Sequence, residues 1–228
     1  MNTNSNADTL SVPPLKRPTS NKTQASRKPP IKIPNNPWLR WGIYAVGLAP
    51  ALWSFWLAIN NQLGANPVKT FEHVLGIWAL RFLILTLLVT PLRDLFRLNF
   101  MPYRRALGLL AFYYVALHFV TYLSLDRGFN WPDILKDVTQ RWFIIIGFLA
   151  FLLLIPLALT SNQWSIRKLK ARWQSLHRLV YIIALAGCLH FLMSVKSWPP
   201  EPLIYGLIIV VLVLWRFIRK PYLRSKKS

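Results

Sequence analysis

The 228-residue chain is 54% hydrophobic, contains 11 Trp and has a positive mean hydropathy. This composition is too apolar for an ordinary soluble domain, and the single cysteine, Cys188, excludes a disulfide framework. The formal net charge of +21 would suggest nucleic-acid binding in a soluble protein, but its placement along this chain favours another explanation.

The N-terminal segment, residues 1–36, is rich in Ser, Thr, Asn, Pro and basic residues and has almost no aromatic side chains. Because such a segment cannot bury a hydrophobic core, we expect a disordered basic cytoplasmic tail. It has no apolar core of the signal-peptide type. Residues 37–221 form the predicted membrane domain, and residues 222–228 form a short basic cytoplasmic C-terminus.

Six apolar segments follow the tail, and each is close to the length that a helix needs to cross a bilayer. Pro, Gly and Asn residues that favour turns and helix ends separate them. The sequence therefore predicts an all-α polytopic membrane protein with six transmembrane helices. The predicted spans are Trp41–Asn60, His73–Pro91, Arg104–Ser124, Arg141–Leu159, Trp173–Ser194 and Leu203–Arg219.

The basic residues are distributed unequally between the two sides of this predicted domain. Most of the 28 Lys and Arg residues fall in the N-terminal tail, the second and fourth loops and the C-terminus, where the only acidic residues are Asp8 and Asp94. The few basic residues of the opposite side are balanced by acidic ones. Since Lys and Arg collect in cytoplasmic loops, we expect both termini in the cytoplasm. The net charge then reflects membrane topology, with lipid as the surroundings and no nucleic acid as a partner.

Two histidines lie deep inside the predicted spans. A histidine there usually marks a functional site, because hydrocarbon does not solvate its ring nitrogens. His118 in the third span and His190 in the fifth lie at similar depth, toward the predicted outer face. A haem iron bound between two helices needs one imidazole from each side at matched depth, so the pair predicts a haem site. The alternative is two isolated histidines that bond to neighbouring helices.

A third histidine, His177, lies on the fifth span near its cytoplasmic end. Thirteen residues separate it from His190, which is roughly 20 Å along a helix, and on a straight helix the two side chains would point about 140° apart. No other histidine is predicted at this depth, and Arg104 stands where a symmetrical arrangement would place a partner. His177 would serve a second, inner haem or provide an alternative coordination.

Arg81 is the only cation deep inside a predicted span, where an unpaired guanidinium is costly. We expect it to face inward and meet an anion, such as a haem propionate or a flavin phosphate; a snorkelling or backbone-bonded Arg is the alternative. His73 follows Glu72 at the start of the second span and is interpreted as an interfacial residue bonded to Glu72 or water. The aromatic residues predicted to wall the haem pocket are Phe112, Tyr113, Tyr114, Phe119 and Phe191.

Six strings in the chain together carry a resemblance to a known family. They are NPVKTFEHVLG, LTLLVTPLRD, RRALGLLAFYYVALHF, PLALTSNQW, RWQSLHRLVYIIALAGCLHF and PLIYG. In these strings the chain resembles the MsrQ family, formerly YedZ, of ferric-reductase-like transmembrane proteins. The resemblance covers about Trp41 to Lys220, and so leaves out the basic N-terminal tail.

The resemblance implies a membrane electron-transfer subunit of the bacterial inner membrane that contains haem b, in one or two copies, and FMN. Electrons would come from the quinone pool or a cytoplasmic flavin reductase. They would pass to MsrP, a periplasmic molybdopterin reductase of oxidised methionines, with which the chain would form a heterodimer. The family's haem-associated histidines fall on His118, His177 and His190. The chain would itself be non-catalytic, because it shows no dinucleotide or phosphate-binding glycine motif and too little sequence after the last span for a flavin domain.

Two other functions stay open at this point. A transporter or proton channel without haem could use the histidines as relay groups, although no inverted repeat is evident and no acidic residue lies inside a span. A stand-alone membrane reductase of metals or quinones would keep the haem but need no protein partner. Visible absorption separates the transporter from the haem proteins. Turnover of an artificial acceptor without the partner identifies the stand-alone reductase.

Overall fold

The computed structural model describes residues 31–34, 36–195, 197 and 199–225. Within this part of the chain, six helical segments are long and apolar enough to cross a membrane, as the sequence predicted. Each predicted span overlaps one of them, and the ends differ by a few residues. The observed spans are Pro37–Ile59, Pro67–Leu95, Met101–Asp126, Trp142–Leu159, Ala171–Ser194 and Pro200–Arg219.

The described residues contain nine α-helices and two short strands. Three of the α-helices, with ten residues or fewer, are too short to span a bilayer. The helices are α1 (Pro37–Ile59), α2 (Pro67–Leu95), α3 (Arg104–Thr121), α4 (Trp131–Gln140), α5 (Trp142–Leu159), α6 (Gln163–Leu169), α7 (Ala171–His177), α8 (Leu179–Ser194) and α9 (Pro200–Ser225). The strands are β1 (Ile31–Lys32) and β2 (Leu98–Asn99). A 3-10 turn precedes α3, and a π-type turn, Tyr122–Asp126, extends it.

Local sequence fixes where several helices begin. The side chain of Asn36 caps α1 by accepting a hydrogen bond from the backbone N–H of Trp38 at 3.0 Å. Asn66 caps α2 in the same way, and each cap is followed by a proline, which has no N–H and is pre-set for the first turn. Asn162 caps α6 through the N–H of Ser165. These caps place the helix starts at the ends of the bundle.

The second span, α2, is the central helix of the bundle. Of its most apolar window 61% is buried, against 17–33% for the other five spans. The buried side chains of α2 that lie in the core include Leu75, Leu80, Leu83 and Leu87. The most extensive helix pairings are α2 with α3 and α5 with α8, and α9 packs against both α8 and α2. Two packed helix pairs therefore face each other across the core.

The helical hydrogen bonding of the fifth span is interrupted once between His177 and His190. Helix α7 ends at His177, and α8 begins at Leu179. The preceding junction, between α6 and α7, turns at Lys170, which has a positive φ of 47°. Arg178, the residue between α7 and α8, keeps a helical φ of −68° and ψ of −21°, so the interruption is local and both histidines lie on one membrane span.

The end of the predicted N-terminal tail is ordered. Within residues 31–36, β1 pairs in parallel with β2, and the Tyr103 hydroxyl donates a hydrogen bond to the Pro34 carbonyl. The described residues of this part of the predicted tail therefore contact distant parts of the chain, and the predicted domain boundaries stay predictions. Residues 1–30 lie outside the described part of the chain. At the other end α9 continues to Ser225, so the first residues of the predicted C-terminal tail are helical.

Candidate cofactor site

A cavity of about 460 Å³ lies between α2, α3, α5 and α8. Its volume is within the range of pockets that hold small molecules and cofactors. His118 from α3 and His190 from α8 both line it, with their ring centroids 6.2 Å apart and their planes nearly perpendicular. Apolar residues of the four helices form most of its wall. The structure thus brings together the two histidines that the sequence paired by depth.

The His118 ring is held by the backbone of α2. Its Nδ1 lies 2.8 Å from the carbonyl oxygen of Glu72. Within the helix, the Glu72 carbonyl also accepts the backbone hydrogen bond from the N–H of Gly76. The His118 ring must therefore reach this carbonyl beside Gly76. A Cβ at Gly76 would meet Nδ1 and Cε1 of the ring at 3.4 Å. Because a carbonyl can only accept, Nδ1 donates and Nε2 keeps a lone pair.

The His190 ring is held in the same way by the backbone of α5. Its Nδ1 donates to the carbonyl of Phe143 at 2.7 Å, and the residue four positions later is Gly147. A Cβ at Gly147 would lie 2.6 Å from Nδ1 and 2.8 Å from Cε1, closer than side-chain atoms approach one another. Only glycine leaves room for this ring, and here too Nε2 is left with the lone pair.

The two histidines therefore belong to equivalent arrangements, which we call the α2/α3 half-site and the α5/α8 half-site. In each, a carbonyl near the start of one helix accepts from the histidine of the helix packed against it, and a glycine four residues on makes room. The histidine follows its carbonyl by 46 residues in the first half-site and by 47 in the second. The two carbonyls and the two glycines were not among the predicted site residues, because the packing of the helices selects them.

This pair of half-sites is suited to binding a metal centre between two imidazoles. Donation of Nδ1–H to a carbonyl fixes the tautomer and orientation of a metal-binding histidine and strengthens Nε2 as a ligand. Metal–nitrogen bonds of about 2 Å on opposite faces of one metal place two ring centroids roughly 6 Å apart, which matches the pair. Among the described residues no group of three or more His, Cys, Asp or Glu side chains is placed to hold a metal ion. A cofactor that brings its other metal ligands with it, as haem does, fits these residues.

His177 is not among the residues that line this cavity. Its ring stacks on Trp173 with a centroid distance of 3.9 Å, and its Nδ1 lies 3.1 Å from the Trp173 carbonyl. Trp173 is anchored in turn by a hydrogen bond from its indole N–H to the Thr160 carbonyl at 3.0 Å. The Nε2 of His177 is buried and has no hydrogen-bond partner by distance and angle among the described residues. Haem binding at this position stays a prediction.

Arg81 has aromatic partners in the interface between α2 and α9. Its Nε donates to the Tyr205 hydroxyl at 2.7 Å, and its guanidinium lies over the Trp78 ring, 4.8 Å from the centroid. These protein neighbours are neutral, whereas the sequence analysis expected Arg81 to meet an anion. Arg81 is not among the cavity-lining residues, so a contact with a propionate or phosphate stays a prediction.

The aromatic wall of the cavity differs from the predicted one. Of the five predicted residues, Phe119 and Phe191 line the cavity. Tyr114 is instead fully buried in the core, where its hydroxyl donates to the Gly47 carbonyl at 2.7 Å. His73, which the sequence assigned to the interface, also lines the cavity, and its ring centroid is 5.6 Å from that of Phe191.

Charged side chains line one end of the cavity, on the predicted outer side, and the sequence analysis did not assign them to the site. The cations of this mouth are Lys69, Arg127 and Arg141. The carboxylates that pair with them are Glu72, Asp126 and Asp137. Burial alone would lower the pKa of Arg127, but Asp137 and Asp126 raise it above its ordinary value, so the guanidinium stays charged.

Comparison with known proteins relates the chain to membrane haem proteins. Residues 75–188 match the family described as "Ferric reductase like transmembrane component". Over 190 residues the chain is 60% identical to proteins of Brucella ovis, Brucella suis and Brucella abortus, each named "Protein-methionine-sulfoxide reductase heme-binding subunit MsrQ". The aligned part is 83% of this chain and 86% of each relative. The similarity thus extends over most of both chains.

Proposed function

The chain belongs to the MsrQ family of ferric-reductase-like transmembrane proteins, and from this premise we propose that it is a haem b-binding membrane subunit that passes electrons to a methionine sulfoxide reductase. It is a multi-pass membrane protein with an all-α fold. The observation that carries the proposal is the pair His118 and His190 in one cavity, each with Nδ1 bonded to a backbone carbonyl. The relatives are named as haem-binding subunits, which supports haem as the cofactor.

In this proposal His118 and His190 bind the iron of one haem through their Nε2 atoms. The bound haem supplies one-electron redox chemistry, which no side chain of the cavity provides. The chain's own residues hold the two rings in position through the carbonyls of Glu72 and Phe143. Apolar side chains of the wall keep water from the cofactor and lower the local dielectric, and both effects tune a haem's potential.

The proposed path runs across the inner membrane with both termini in the cytoplasm. The electron donor is the quinone pool or a cytoplasmic flavin reductase, and the acceptor is MsrP, a periplasmic molybdopterin reductase that forms a heterodimer with this chain. The distribution of basic residues supports this orientation. It places the mouth of the cavity on the periplasmic side, where the partner would dock. FMN stays a prediction from the family resemblance, and we assign no residue to it.

A second, inner haem at His177 is a separate proposal with less support. Protein atoms cover its Nε2, so an iron could reach it only if neighbouring residues moved. The ring also lies against Trp173, which is itself anchored to Thr160. We therefore expect the His118–His190 site to fill first, and any haem at His177 to require rearrangement of α7.

Visible spectra of the purified protein test the haem proposal. We expect oxidised and dithionite-reduced spectra of b type, lost in His118→Ala and in His190→Ala. His73→Ala is the matched control, because it removes a cavity-lining histidine that is not a proposed ligand. Loss of only part of the haem absorbance in His177→Ala would indicate a second haem at that position. A colourless wild type after haem supplementation would contradict the proposal and favour the transporter.

Rapid mixing tests electron delivery. Reduced protein is mixed with the molybdopterin reductase and a methionine sulfoxide substrate, and reoxidation of the haem is followed by absorbance. We expect the oxidised reductase to reoxidise the haem, the substrate to sustain further turnover, and the substrate without the reductase to leave the haem reduced. Rapid reoxidation by a ferric chelate or a quinone, with none by the reductase, would instead identify a stand-alone membrane reductase.

A further inference from the structure

We propose that the three cations of the mouth, Lys69, Arg127 and Arg141, bind the two propionate carboxylates of the haem, a role that rests on the proposed function. All three line the same cavity as His118 and His190. They come from three different elements, the start of α2, the turn after α3 and the residue before α5. A haem held by the two histidines has its propionates at one edge, and the mouth is the only charged stretch among the described lining residues.

The exposure of the side chains shows which groups the mouth offers to a ligand. Lys69 and Arg141 are each 48% exposed, whereas the carboxylates of Glu72, Asp126 and Asp137 are only 10–14% exposed. The acceptors therefore lie beneath the donors. An arriving carboxylate meets N–H groups first, which is the arrangement that an anion site requires.

Protein carboxylates use only part of the donor capacity of Arg127. Its Nε is buried without a hydrogen-bond partner, although it lies 3.3 Å from Asp126 Oδ2, so charge rather than an aligned hydrogen bond holds this pair. Its Nη2 pairs with Asp137. A guanidinium carries five N–H donors in a planar fork that matches a carboxylate. The Asp126 Oδ2 beside it is also buried without a hydrogen bond, so the two atoms lack alignment with each other rather than a partner. The Arg127 side chain is 23% exposed and lines the cavity, so its remaining guanidinium N–H groups are the donors that a propionate could meet.

The charges of the mouth decide what kind of attraction holds the propionates. Three cations are matched by three carboxylates, so the cluster has no net charge to attract an anion from a distance. The gain must come from directed charge-assisted hydrogen bonds. Asp137 also accepts from the Tyr122 hydroxyl at 3.1 Å, which keeps it bonded when the guanidinium turns toward a propionate. Loss of one donor should therefore weaken binding more than added salt does.

A comparison of haemin with haemin dimethyl ester tests this site, because the ester lacks both propionate charges. Full-length protein from haem-limited cells is titrated with each compound in detergent. For wild type we expect the ester to bind at least about tenfold more weakly, since hydrogen bonds to charged groups carry that much. Arg127→Gln should weaken haemin by a similar factor and leave the ester unchanged. Lys136→Gln, which removes an exposed cation of α4 outside the cavity, should alter neither.

Equal weakening of haemin and ester in Arg127→Gln would overturn the propionate contact, because it would show only a general structural loss. Lys69→Gln and Arg141→Gln are assayed in parallel, so the conclusion does not depend on one variant that folds poorly. Resonance Raman spectra give a second readout, in which the propionate bending band should shift in Arg127→Gln and not in Lys136→Gln. If wild type binds neither compound with a b-type spectrum, the haem function itself fails. If it binds both equally, only the propionate site fails.

Discussion

In the α2/α3 half-site a Cβ at Gly76 would stand 3.4 Å from the His118 ring, whereas in the α5/α8 half-site a Cβ at Gly147 would stand 2.6 Å from the His190 ring. Both rings make the same hydrogen bond, at 2.8 and 2.7 Å. The first half-site therefore has room for a methyl group at its glycine, and the second does not. Two sites with the same hydrogen bond can therefore differ strongly in whether the neighbouring glycine can be replaced by a larger residue.

The largest effect is expected from Gly147→Ala, and retention of haem in this variant would contradict the comparison. The added methyl overlaps the ring, so His190 must leave the Phe143 carbonyl and its position in the cavity. We expect loss of most of the b-type absorbance, together with a destabilisation of about 1–3 kcal/mol from overpacking. Haem content per protein and thermal unfolding measure the two effects. Gly108→Ala is the control, since its methyl would be 3.9 Å from Thr86 and would meet only ordinary contact.

A smaller effect is expected from Gly76→Ala. At 3.4 Å the methyl is in van der Waals contact with the His118 ring, so the ring shifts slightly and keeps its hydrogen bond. We expect normal haem content with a small change in the midpoint potential, measured by redox titration. Haem loss as severe as in Gly147→Ala would show that the two half-sites have equal tolerance and would contradict the comparison.

The smallest effect is expected from Tyr205→Phe. This variant tests whether Arg81 influences the cofactor through the α5/α8 half-site. Tyr205 bonds Arg81 and lies 6.5 Å from Phe191, the residue after His190. Removal of the hydroxyl should cost about 1 kcal/mol of stability and leave the haem spectrum unchanged. A shifted midpoint potential would instead place the Arg81 charge within electrostatic reach of the cofactor, as the sequence analysis predicted.

The six spans and the histidine pair were predictable because each depends on features read along the chain. Span length and hydropathy locate the helices, and counting residues from the ends of two parallel spans gives His118 and His190 the same depth. The carbonyls of Glu72 and Phe143 were not predictable in this way, because every helical residue has one. Only the packing of α2 on α3, and of α5 on α8, selects them.

Other features escaped prediction because their cause lies between distant segments. The strand β1 forms because Ile31 and Lys32 pair with residues after α2, and nothing in its own sequence indicates a strand. The break between α7 and α8 contains no proline or glycine that would mark it. The charged mouth was visible only as acidic and basic residues near span ends. They meet at one cavity because the start of α2, the turn after α3 and the start of α5 lie close together in the fold.

The repeated half-site also has a consequence for how the protein is assembled in the membrane. Helices α2 and α3 precede α5 and α8 in the chain and are synthesised first, and each pair carries one of the two histidines. A haem bound by both histidines would then act as a cross-link between the two helix pairs, and binding energy would be converted into assembly energy. We expect haem-starved cells to accumulate a protein whose loop between α3 and α5 is open to proteases, with each helix pair still intact.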